Sequence, residues 1–310
     1  MNDAVAVTGA SGYIGSRLLT ALAPRPVRAL VRRGATDASH ISLDLLTDWD
    51  ALLAAFEGAD TVVHLAGHNE TVAASDPDRA LADTLLASRR VARAASATGV
   101  RRVVYVSTVH VYGRQLAPGA HVDEEVAPAP QSIYAIARLA SEHLLAQAEA
   151  DGVEVVVLRL TNAVGAPAAV DVDRWTLVAN DLCRQAVRNR ELVLRSSGLQ
   201  WRDFVALDDV CNAVATCVGT DIAPGTYNLG TGEPCTVLAL AELVRDTFEA
   251  RTGDRYPVRT APPEATPAVP YTVNVERLAR AGWKATGTLA AAVDELVGFC
   301  LDHKEALLDG

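Results

Sequence analysis

Ala4-Val-Ala-Val-Thr8-Gly9-Ala-Ser11-Gly12-Tyr-Ile-Gly15, running on into Ser16-Arg-Leu-Leu-Thr-Ala-Leu22 and closed by Pro24, is the stretch that decides the fold. The short apolar run reads as a strand buried on both faces, the kind found in parallel sheets. The segment after the glycines reads as a helix that Pro24 stops. The glycines between them admit positive φ and let the backbone come close to whatever lies at the helix N-terminus. That terminus offers free N–H groups and the positive end of a dipole, which suits a pyrophosphate. A G-x-x-G-x-x-G spacing alone is weak evidence. Its place between a first strand and a first helix makes Gly9, Ser11, Gly12, Tyr13, Ile14 and Gly15 candidate dinucleotide contacts.

Working outward, Val27-Arg-Ala-Leu-Val31 is a second strand that ends in Arg32-Arg33. An acid at such a strand end binds a ribose 2′-hydroxyl, whereas guanidinium forks match a 2′-phosphate. The pair therefore favours NADP(H). NAD(H) stays open if both arginines are solvated strand-end charges. Further strands are expected over Thr61–Gly67, Arg102–Ser107 and Val153–Arg159, with helices over Thr47–Phe56, Asp78–Ala97 and Tyr134–Ala150. Strand and helix alternate four or five times, which implies an α/β architecture with a doubly wound parallel sheet and a ligand crevice at its C-terminal strand ends. His64 reads as a packed strand histidine rather than a catalyst.

Composition narrows the function. A chain of 310 residues that is 50% hydrophobic can bury a large core, and a formal charge of -10 opposes binding to a phosphate backbone. Nucleic acid is not an expected partner. No apolar run approaches the roughly 18 residues of a membrane span, and a strand follows the first residues too closely to leave room for a signal peptide. The five cysteines show no metal spacing and no C-x-x-C pair. The expectation is a cytoplasmic protein with no metal site and reduced thiols.

Ser132-Ile-Tyr134-Ala-Ile-Ala-Arg138 sets a tyrosine and a cation one helical turn apart, a spacing common on ordinary surfaces. Joined to the glycine turn and to Tyr105-Val-Ser107-Thr108-Val-His110-Val-Tyr112-Gly113, it resembles the extended short-chain dehydrogenase/reductase family of the NAD-dependent epimerase/dehydratase type. That family's signature is Tyr-x-x-x-Lys, and here arginine replaces the lysine. The resemblance implies a Rossmann-type domain over residues 1–162, with return segments around 203–220, and a smaller C-terminal substrate-binding lobe over 163–310. It implies Tyr134 as general acid/base, Arg138 as its cation, and Thr108 as the hydroxyl that polarises the substrate carbonyl, with Ser107 the second choice. Asp44 and Leu45 resemble the family's adenine-contacting element, although Asp44 reads equally as a helix cap. Leu65, Ala66 and Gly67 resemble its segment beside the cofactor, and Thr84 stands where an asparagine is usual.

The arginine matters for the chemistry. Bringing a phenol from its ordinary value of about 10 toward neutrality costs about 4 kcal/mol. A cation about 5 Å away supplies about 3 kcal/mol at an effective dielectric of about 20. Arginine can thus do most of the electrostatic work of lysine, and its donors can hold the nicotinamide ribose. It does not readily lose a proton, so a relay through the cation is lost. Relatives that dehydrate sugars carry Asp-Glu after the threonine; Val109-His110 supplies no such pair.

The later motifs extend the resemblance over nearly the whole chain. Arg159-Leu-Thr-Asn162 and Arg202-Asp203-Phe204-Val-Ala-Leu-Asp208-Asp209-Val210 are similar to elements of sugar-nucleotide enzymes. There the asparagine lies near the substrate diphosphate and the arginine binds it. His110 is a further substrate candidate, or a packed histidine. The reading is an NADPH-dependent reductase for the 4-keto group of a nucleoside-diphosphate 4-keto-6-deoxyhexose. Its alternatives are an NAD-dependent 4-epimerase, a reductase of a non-sugar ketone, and a non-catalytic cofactor-binding regulator. The family's pairing of two helices into a four-helix bundle implies a homodimer through Thr84–Ala97 and Tyr134–Ala150.

Overall fold

The computed structural model describes residues 3–32, 40–172, 174–262 and 269–309. Seven parallel strands form the main sheet, in the spatial order His40–Ser42, Val27–Val31, Val5–Thr8, Thr61–His64, Arg102–Thr108, Glu154–Leu160 and Gly225–Leu229. The first strand is central: Thr8 pairs with Leu30 on one side and His64 on the other. Strand order therefore reverses between Val5–Thr8 and Thr61–His64, and the crevice opens there. The strands are apolar on both sides because both faces are covered.

Helices Tyr13–Ala21 and Leu207–Gly219 cover one face through Leu18, Leu22, Val210 and Val214. Helices Trp49–Phe56, Pro77–Thr98 and Ile133–Ala146 cover the other through Phe56, Val91, Ala95 and Leu145. The sequence marks where these helices begin and end. Asp76 accepts from Arg79 N at the head of Pro77–Thr98, and Gly99 ends it in the left-handed conformation. Ser132 accepts from Ala135 N and so starts the next helix two residues before Tyr134. Strand Thr61–His64 stops short of the expected Gly67, and the short helix Glu70–Ser75, which carries little apolar periodicity, had no forecast.

A second cluster lies under helices Val178–Asn189, Val237–Thr252 and Leu289–Asp302. Strands Asn162–Val164, Trp201–Ala206 and Pro234–Thr236 form its three-stranded sheet. The chain returns to the main sheet through Leu207–Gly219 and Gly225–Leu229, which begins later and runs further than the 203–220 expected. Asp203, at the junction, is buried and accepts from Thr231 N and Gly232 N at 3.0 and 2.7 Å and from Thr231 Oγ1 at 2.9 Å. Asp203→Ala leaves these donors without an acceptor and is expected to lower stability by about 3 kcal/mol, read as a fall in the urea midpoint.

Candidate active site

The glycine turn forms one end of a cavity. Helix Tyr13–Ala21 starts after Gly12 with no side-chain cap, which leaves first-turn amides for a ligand. Gly9 has φ +71°, and a Cβ there would lie 2.8 Å from Ala66 N, so this turn and the segment beside it pack backbone to backbone. The cavity encloses about 540 Å³ along the C-terminal strand ends. It is lined by Gly9, Ser11, Gly12, Tyr13, Ile14, Gly15, Arg32, Asp44, Leu45, Leu65, Ala66, Gly67, Thr108, His110, Tyr134, Arg138 and Asn162, all read from the sequence as site residues. Arg33 lies outside the described residues. Arg202 does not line the cavity; its Nη1 donates back to Trp201 O at 2.8 Å.

The two hydroxyls at the end of strand Arg102–Thr108 have separate fates. Ser107 Oγ donates to Glu142, whose carboxylate forms a buried ion pair with Arg159 at 2.8 Å. Thr108 Oγ1 accepts from His110 N at 3.2 Å and, among the described residues, donates to no acceptor. Both hydroxyls line the cavity, and Ser107 is the one engaged by a carboxylate. Asp44 does not cap a helix: it accepts from Leu46 N at 2.8 Å, and Asp48 precedes Trp49–Phe56. Asn162 donates to Asp203 O at 2.8 Å.

Arg138 is buried, with its Cζ 5.3 Å from the centre of the Tyr134 ring. Burial works against its charge, but the Tyr105 and Tyr134 phenols and, more weakly, the Glu70 carboxylate hold the guanidinium above its ordinary range. His110 meets the Tyr134 ring edge-on at 6.5 Å between centroids. Burial and the Arg202 charge push the His110 imidazole down, with Glu70 opposing them. Arg202 therefore acts on the site across a distance.

His64 is a packed histidine, as its strand position implies. Nδ1 faces Thr8 Oγ1 at 2.8 Å and Nε2 faces Ser88 Oγ at 3.1 Å. Burial, reinforced by the Arg138 charge, pushes its imidazole down to about 3. The sequence reading missed two polar pairs that line the cavity. Arg174 bonds Glu70 at 3.0 Å, and His68 meets Asp83 at 2.9 Å. Each joins residues far apart in the chain, with no local pattern to announce it. Thr84, in the usual asparagine position, accepts from His68 N at 3.3 Å. Among the described residues no group of three or more His, Cys, Asp or Glu could hold a metal ion, and no helix is long and apolar enough to cross a membrane.

A doubly wound sheet with a glycine turn at its switch point, and a threonine, a tyrosine and a cation at its strand ends, defines a nicotinamide-dinucleotide enzyme. Residues 5–230 match the model of the NAD dependent epimerase/dehydratase family, and the chain belongs to that family. It is 32% identical, over 94% of both chains, to the dTDP-6-deoxy-L-talose 4-dehydrogenase (NAD(P)(+)) of Kitasatospora kifunensis. Among solved structures it superposes on MoeE5 in complex with UDP-glucose and NAD with a TM-score of 0.82, at 27% identity and covering 96% of this chain and 98% of that one. RMD from Pseudomonas aeruginosa complexed with NADPH gives 0.80 at 27% identity and the same coverage.

The neutral state of His64 has a measurable consequence. The unfolded chain takes up a proton below about 6.5 that the folded chain refuses down to about 3, so stability is complete above pH 6.5 and falls as pH drops through that window. Between pH 7 and 4.5 the contribution is about 3 kcal/mol. Urea midpoints of His64→Gln are expected to fall less steeply than the wild type's over this range.

Proposed function

We propose that the chain uses NADPH to reduce the 4-keto group of a nucleoside-diphosphate 4-keto-6-deoxyhexose. The observation that carries this reading is the grouping of Thr108, Tyr134 and Arg138 in the cavity that holds the glycine turn, with His110 where a dehydratase would have an acid. Glu70 and Asp83 also line the cavity, but Arg174 and His68 engage them. Neither is a free acid for removing water. The name of the Kitasatospora relative describes oxidation at the same sugar carbon, the reverse of the proposed step.

The bound cofactor supplies hydride to the carbonyl carbon. The first-turn amides after Gly12 hold its pyrophosphate, Leu65, Ala66 and Gly67 flank it, and Asp44 and Leu45 contact the adenine. Arg32, exposed at the cavity rim, takes a 2′-phosphate together with Arg33. Thr108 Oγ1 donates to the carbonyl oxygen, and Tyr134 gives it a proton as it becomes a hydroxyl. Arg138 stabilises the phenolate left behind. Since Arg138 keeps its proton, the phenolate is refilled from a ribose hydroxyl or water. Asn162 and His110 face the sugar nucleotide, and Arg202 adds positive charge on the diphosphate side.

The test is hydride transfer from NADPH and NADH to a panel of nucleotide 4-keto-6-deoxyhexoses. One NADPH consumed per product, with kcat lowered about 100-fold or more in Tyr134→Phe, is the expected result. Interconversion of 4-epimers without net cofactor consumption indicates the epimerase instead. Undiminished substrate affinity in Arg202→Ala indicates a substrate without a diphosphate.

The homodimer is part of the same proposal. Leu86 and Ile136, on helices Pro77–Thr98 and Ile133–Ala146, are large apolar residues about two-fifths exposed, at 40% and 41%. Ile136→Glu is expected to convert a dimer mass to a monomer mass by light scattering at micromolar concentration.

A further inference from the structure

Arg138 is a buried cation with no carboxylate bonded to it among the described residues; Glu70 acts on it only through its charge, across a distance. Among the described residues its guanidinium donates to the Tyr105 hydroxyl and the His68 carbonyl, each at 3.4 Å, and to no carboxylate. Buried charges are ordinarily paired, since stripping water from one costs several kcal/mol. Here the compensation comes from neutral walls. The Tyr134 ring lies 5.3 Å from Cζ on one side. On another side is Gly67, where a Cβ would stand 3.1 Å from Nη1, 3.2 Å from Cζ and 3.3 Å from Nη2. The whole guanidinium therefore lies flat against the Gly67 backbone. Gly67 has φ +153°, which L side chains rarely adopt. Tyr105 is fully buried and stacked on His64 at 5.4 Å between centroids, so its hydroxyl cannot swing aside.

The geometry points to a guanidinium slot: Gly67 and Tyr105 are positioning residues that admit arginine at 138 and orient its unpaired charge toward Tyr134. This rests on the role proposed above for Tyr134, and it adds why this chain carries arginine there. Lysine ends in a compact ammonium on a flexible stem and gains nothing from a flat wall. A guanidinium is planar and fits against the Gly67 backbone, with the Tyr134 ring centre 5.3 Å from its Cζ. The absence of a bonded carboxylate among the described residues matters equally, because an acid paired with Arg138 in the slot would neutralise the charge that Tyr134 needs.

A double-mutant cycle tests the slot. Gly67→Ala and Arg138→Lys are each expected to lower kcat about 10-fold or more, while the double variant loses about 10-fold less than the product of the two, because the smaller cation no longer meets the added methyl. Tyr105→Phe keeps the packing and removes one partner. It is expected to lower kcat about 5-fold with KM unchanged, and to add little in the Arg138→Lys background. If Gly67→Ala does not fold, the Tyr105→Phe cycle decides alone. The same cycles are read on the Kd for NADPH, by its fluorescence without substrate, where the same non-additivity is expected. That arm stands whichever ketone is reduced: loss of the 4-keto sugar assignment leaves it intact. Additive effects in both kcat and Kd, or wild-type values in Tyr105→Phe and Gly67→Ala, overturn the slot.

Discussion

The cavity of this molecule opens where two adjacent parallel strands part, Val5–Thr8 and Thr61–His64. Their connections leave the sheet in opposite directions, so no helix fills the space above their C-terminal ends. The glycine turn follows one of these ends, and Leu65, Ala66 and Gly67 follow the other. Thr108 closes the next strand along. The Thr8–His64–Ser88 hydrogen bonds tie the two parting strands to helix Pro77–Thr98 at the floor of the crevice. A histidine kept neutral suits this floor, since a charged one would stand beside Arg138.

The site then divides its labour between hydroxyls already spent and hydroxyls left available. Ser107 is held by the Glu142–Arg159 ion pair, which belongs to the interior of the sheet. Ser107 and Thr108 both line the cavity, but Thr108, one residue on, is not engaged by that ion pair. The difference in partners is consistent with the sequence reading, which put Thr108 ahead of Ser107. The acids follow the same rule. Glu70 and Asp83, on the cavity wall, are engaged by Arg174 and His68, and Asp203 and Asp209, away from it, accept from backbone amides.

The fold was legible because its signals are local. A buried strand, a glycine turn and a helix in succession specify a parallel crossover, and four or five alternations of strand and helix leave few arrangements. The lining of the cavity was legible because its residues lie at strand ends, a position that short motifs mark. What escaped was whatever depends on long-range meeting. Arg174 reaches Glu70 across 104 positions, and Arg202, placed in the substrate site by motif, turns toward the carbonyl beside it. Asp44 was caught between two readings because an Asx turn and a helix cap use the same atoms within two residues of each other.

Gly67 and Arg138 also tie together two segments that lie far apart in the chain. A methyl at 67 would stand 3.1 Å from Nη1, so the guanidinium would have to give by a few tenths of an ångström. The side chain that one position can hold therefore depends on the residue at the other.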